Sequence, residues 1–122
     1  MCIRDRSIPA AGSGTAGQGF LGGQPLSQGS GSGGSGGGAG GNGNDKGGSV
    51  GSGTGAVGGL GLSNSITGSA ATYSVGGDCT DFDGVSNTGA ANTGDGGDGG
   101  YTHTTPSGRA GGSGIVIVRY IL

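Results

Sequence analysis

Gly33-Gly34-Ser35-Gly36-Gly37-Gly38-Ala39-Gly40-Gly41 decides how this chain is to be read. It lies inside Ser27–Gly59, which is nearly pure Gly, Ser, Ala, Asn and Thr. Such a stretch has two physical readings. By composition it is a flexible coil that buries nothing. Alternatively, it adopts polyproline-II geometry, with three residues per turn and no internal hydrogen bonds. Glycine chains of that shape pack side by side, because no Cβ holds their backbones apart, and they hydrogen-bond laterally. The Gly spacing follows no strict three-residue phase and the chain has only 3 Pro, which excludes collagen.

The whole chain shares this character. Of 122 residues 38 are Gly, 10% are charged and 4% are aromatic, against roughly 7% Gly in an average protein. Glycine loses the most backbone entropy on folding and brings no side chain to bury. A conventional apolar core therefore cannot hold the chain along its length. The expected fold is mostly irregular and all-β: coil or polyglycine-II-like segments, a few short strands and essentially no helix. No window sustains apolar residues at i, i+3 and i+4.

Met1-Cys2-Ile3-Arg4-Asp5-Arg6 matches the translation of a sequencing-library adapter. Residues 1–6 are expected to be a scar, with the protein continuing upstream of Ser7. Two further stretches follow: a glycine-rich low-complexity segment, 7–59, and a glycine-rich module with short strands, 60–122. Without the scar, Lys46, Arg109 and Arg119 face six Asp, a net charge of −3. No basic stripe exists to bind nucleic acid. The longest apolar run, Ile115–Val118, is far too short to span a bilayer. Cys79 then stands alone, so no internal disulfide is expected.

Beyond the glycine tract, Ala71, Tyr73 and Val75 alternate with Thr72 and Ser74, the pattern of a half-buried strand. Thr67-Gly68-Ser69 ahead of it is a turn signal, so Leu60–Val75 is expected to form a hairpin. Gly76–Gly100 reads as loop. Ile115–Leu122 is β-branched and apolar on both alternating faces apart from Arg119, and is expected to be a strand covered on both sides.

Few residues are equipped for chemistry. Matches to G-x-G-x-x-G recur at Gly12, Gly29 and Gly53, but none lies between a strand and a helix, where the motif has its meaning. Asp78, Asp81 and Asp83 read first as solvated loop charge and second as a calcium candidate. The chain has no Glu to act as a bidentate ligand. His103 is the only histidine, so neither a zinc cluster nor a nucleophile–base pair can be assembled, and no enzyme activity or cofactor is expected. Phe82, Tyr101 and His103 are planar side chains among small residues. Binding loops use such residues for contact area at little entropic cost; the competing reading is that Phe82 and Tyr101 anchor their loops onto the strands.

The ending Arg109-Ala110-Gly111-Gly112-Ser113-Gly114-Ile115-Val116-Ile117-Val118-Arg119-Tyr120 resembles the C-terminal signature of glycine-rich modules in phage tail-fibre and tip-adhesin-like proteins. Gly14–Gly19, Gly59–Gly68 and Asn92–Gly97 are similar to that family as well. The resemblance implies packed polyglycine-II helices that display variable loops, and a position on a virion or extracellular surface. It implies a bacterial surface receptor, glycan or outer-membrane protein, and other fibre subunits as partners, without membrane insertion or nucleic acid. Phe82, Asp83, Tyr101 and His103 would carry the receptor contacts. The chain departs from the family at Gly76–Val85, where Asp78-Cys79-Thr80-Asp81-Phe82-Asp83 replaces a plain glycine run. A structural cell-surface or matrix protein is the second reading. An ice-binding polyglycine scaffold ranks third, because no regular Thr- or Ala-lined face appears.

Overall fold

A computed structural model describes residues 11–25, 33–46, 55–80, 86–99 and 108–120. Among them there is no helix, and regular secondary structure is limited to one antiparallel pair, β1 (Leu62–Asn64) and β2 (Ala71–Tyr73). The register sets Leu62 against Tyr73 and Asn64 against Ala71. The turn between them is built as its residues demand. Asn64 Oδ1 accepts the Ile66 amide at 2.8 Å, the Gly68 amide reaches the Ser65 carbonyl at 2.9 Å, and Gly68 takes φ +96°, which suits glycine best. The expected hairpin is therefore present.

The rest of the described chain is ordered without strands or helices. Ser35 and Gly38 both donate to the 41–46 segment, at 3.4 Å to Asn44 and 2.9 Å to Gly41. Their carbonyls both accept from the 19–25 segment, from Gly23 at 2.8 Å and Phe20 at 3.0 Å. Gly36, between them, donates to Gly77 at 2.9 Å and accepts from Gly59 at 2.8 Å. One segment thus bonds to four neighbours. A β-strand directs its backbone groups to two sides only, whereas a three-residue turn sends successive groups in three directions.

The same period recurs elsewhere. Gly96 and Gly99 donate to the carbonyls of Val75 and Asp78, each at 2.8 Å, while the carbonyls of Asp95 and Asp98 accept from Gly112 and Arg109 at 2.7 and 2.8 Å. Burial follows the period too. The pairs Ser35/Gly38, Gly43/Lys46, Ala56/Gly59 and Gly76/Cys79 are all buried, three residues apart.

The interior is therefore mostly backbone. Ala56 and Cys79 are the buried hydrophobic residues among those described. Only glycine suits the closest approaches. A Cβ on Gly76 would overlap the Gly36 carbonyl, and one on Gly59 the Gly41 carbonyl. Lost side-chain burial is offset by lateral hydrogen bonds, each worth about 0.5–1.5 kcal/mol net.

One expectation is corrected. The strand predicted over Ile115–Leu122 is not formed in its described part, 115–120, which joins no ladder. The physical reason lies in the spacing of the array. Segment 108–113 stays in it through Arg109, Gly112 and the carbonyls of Ala110 and Ser113. From Ile115 onward every residue carries a bulky side chain that the glycine spacing excludes, so the chain leaves the array with Val116, Val118 and Tyr120 exposed. Ile115 and Ile117 still face the hairpin, across an open groove of about 300 Å³ that Ile66 and Tyr73 help to line.

Candidate functional site

The segments run between two ends. At one end the chain reverses within the described residues, at 15–19, at 39–41, through the hairpin and at 91–94. These reversals adjoin: Gly40 donates to Leu60 at 2.8 Å, Ala39 to Ser74 at 2.9 Å, and Ser74 to Thr93 at 2.9 Å. Tight geometry is needed there, and Ser74 (φ 57°) and Asn92 (φ 63°) take left-handed conformations at the joins.

At the opposite end lie the residues that flank four connections. Gln24 and Lys46 meet at 3.0 Å, Ala56 and Cys79 at 2.8 Å, and Asp98 and Arg109 at 2.8 Å. Thr80 Oγ1 donates to the Gly99 carbonyl at 2.9 Å and lies 3.3 Å from Ser86 Oγ. Described residues that border 26–32, 47–54, 81–85 and 100–107 in the sequence are therefore gathered at this end. The roots of 81–85 and 100–107, Thr80 and Gly99, are direct neighbours.

Carboxylates hold this end together. Asp98 is only 8% exposed. Its Oδ1 accepts the Asp78 amide at 2.9 Å, and its Oδ2 accepts the Asn87 amide at 2.7 Å and Asn87 Nδ2 at 3.2 Å. Three donors compensate a buried charge that would otherwise be costly. Asp78 Oδ1 accepts the Gly58 amide at 2.6 Å, and Asp45 Oδ1 the Gln24 amide at 2.6 Å.

Asp78 is thus a structural acceptor rather than purely solvated charge. Its proposed calcium partners Asp81 and Asp83 lie outside the described residues, and among the described residues no three His, Cys, Asp or Glu converge to hold a metal. The receptor candidates Phe82, Asp83, Tyr101 and His103 also lie outside them. The residues that sequence reasoning missed are Asp95 and Asp98. Their signal was Asp95-Gly96-Gly97-Asp98-Gly99-Gly100, a local three-residue repeat in which each carboxylate recurs on one side of the segment.

An open depression of about 500 Å³ is lined mainly by glycine backbone, with Gln18, Ser74 and Asp78 on its wall. It presents peptide groups rather than a constellation of acids, bases and nucleophiles. No described helix is long and apolar enough to cross a membrane.

A glycine-rich domain family model matches residues 5–121, so the chain belongs to that glycine-rich domain family. No curated protein and no solved structure matches the chain.

Proposed function

We propose that this glycine-rich domain is a non-enzymatic display module of the phage tail-fibre or adhesin type, recognising a bacterial surface receptor. The observation that supports the reading most is the shared end of the array. Segments 81–85 and 100–107 hold the candidate contacts Phe82, Asp83, Tyr101 and His103, and their roots Thr80 and Gly99 are hydrogen-bonded neighbours. Two sequence-distant segments thereby start from one place, as a composite recognition surface requires. Aromatic side chains on such a surface dominate its energetics, and truncating a true hot spot costs about 2 kcal/mol or more. In this reading the receptor is a glycan or outer-membrane protein, the module sits on a virion or extracellular surface, and other fibre subunits are its neighbours.

The test is binding of the labelled full chain to a panel of bacterial cells, compared with Phe82→Ala and Tyr101→Ala. The expected result is a loss of affinity of about 30-fold with unchanged melting. Variants that bind as the parent does would favour the purely structural surface-protein reading.

A further inference from the structure

Segments with a three-residue repeat face an ambiguity that side-chain cores do not. If one glycine segment slides past its neighbour by three residues, each backbone amide again meets a carbonyl. Register is weakly specified wherever side chains do not distinguish one alignment from the next. Most of this array is glycine, so something other than its backbone must decide the alignment.

We infer that Asn42, Asp45, Asp78, Asp95 and Asp98 set the register of the glycine segments, each holding one amide of the neighbouring segment through its side-chain Oδ1. The bonds form one series. Asn42 takes the Leu21 amide at 3.2 Å and Asp45 the Gln24 amide at 2.6 Å. Asp78 takes that of Gly58 at 2.6 Å, Asp95 that of Val75 at 2.9 Å, and Asp98 that of Asp78 at 2.9 Å. In every case the amide lies 20 or 21 residues upstream.

Two pairs obey the same rule at the period of the segment. Asn42 and Asp45 are three apart and hold residues three apart, and so do Asp95 and Asp98. A slip of three residues sets one member of each pair on its partner's amide and carries the other member past the bonded pair. The penalty is greatest at Asp98, which is buried and also answers both Asn87 donors. Glycine supplies the close approach, and the Asn and Asp side chains supply the choice among equivalent alignments.

The experiment uses the exposed pair, where the lost bonds are least costly to the fold. The isotope-labelled full chain and its Asn42→Ala/Asp45→Ala variant are compared by scalar couplings across hydrogen bonds. In the parent, the Gly43 amide couples to the Leu21 carbonyl and the Lys46 amide to that of Gln24, following their bonds of 2.9 and 3.0 Å. The double variant is expected to show a second set of signals in which the partner has moved by three residues, with Lys46 coupled to Leu21 or Gly43 to Gln24. Asn42→Asp keeps an acceptor and is expected to keep the single parental set. A double variant with parental couplings alone overturns the inference. So does one that loses all dispersed amide signals, since these side chains would then stabilise the fold without selecting its alignment.

Discussion

Ala56-Val57-Gly58-Gly59 and Ile115-Val116-Ile117-Val118 are four-residue stretches with opposite fates. The second is the most apolar run in the chain, yet Val116 is 91% exposed; the first is half glycine, yet Ala56 is 3% exposed and Gly59 is buried. Hydropathy ranks them the wrong way round. What decides burial here is how closely a backbone can approach its neighbours, and in this comparison a small side chain or none wins over a bulky apolar one. Close backbone packing leaves the large apolar side chains at the periphery, against the hairpin or in solvent.

Three tests, two of them with a control variant, break or sharpen this contrast, taken from the largest expected effect downward. Gly76→Val places a branched side chain where even a single Cβ overlaps the Gly36 carbonyl. The expected result is loss of the cooperative transition in circular dichroism melting, a destabilisation of about 4 kcal/mol or more. Gly12→Ala is the matched control, because nothing lies within 4 Å of its added Cβ, and its melting is expected to stay parental. Equal melting of the two variants would break the comparison at its root.

Asp98→Ala removes the acceptor of three donors at a buried position. Orphaned buried donors cost about 1–3 kcal/mol, so denaturant unfolding is expected to show a loss of about 3 kcal/mol. Asp98→Asn, which keeps one carbonyl, is expected to lose less. The smallest effect belongs to the apolar tail. Val116→Ser removes an exposed side chain and is expected to change stability by no more than about 0.5 kcal/mol. A larger loss in the same unfolding assay would show that the tail is a working part of the core.

The sequence made the hairpin legible because its signals sit on side chains: alternation at Ala71, Tyr73 and Val75, and a glycine where the turn needs a positive φ at Gly68. It made the scarcity of helix legible through the missing periodicity. The array itself was only half visible. Its period is carried by glycines, which are identical whichever way they face, so no contrast between buried and exposed residue types marks it. The few marks present, such as Asp95 and Asp98, lie in a stretch that reads as loop, and only their bonds to the amides of Val75 and Asp78 give them a place in the array. The tail was misread for the converse reason. Its side chains advertise a strand, but its described residues pair with no strand and face the hairpin only across an open groove.

The backbone interior also sets how stability responds to temperature. Exposing apolar surface raises the heat capacity of unfolding, while exposing polar peptide groups lowers it. A fold that hides peptide groups behind glycine exposes little hydrocarbon when it opens, so its heat-capacity increment falls well below the ~12–15 cal/mol/K per residue of ordinary domains. The stability curve flattens accordingly. Cooling then takes little from this domain, because the hydrophobic term that fades in the cold contributes little to begin with.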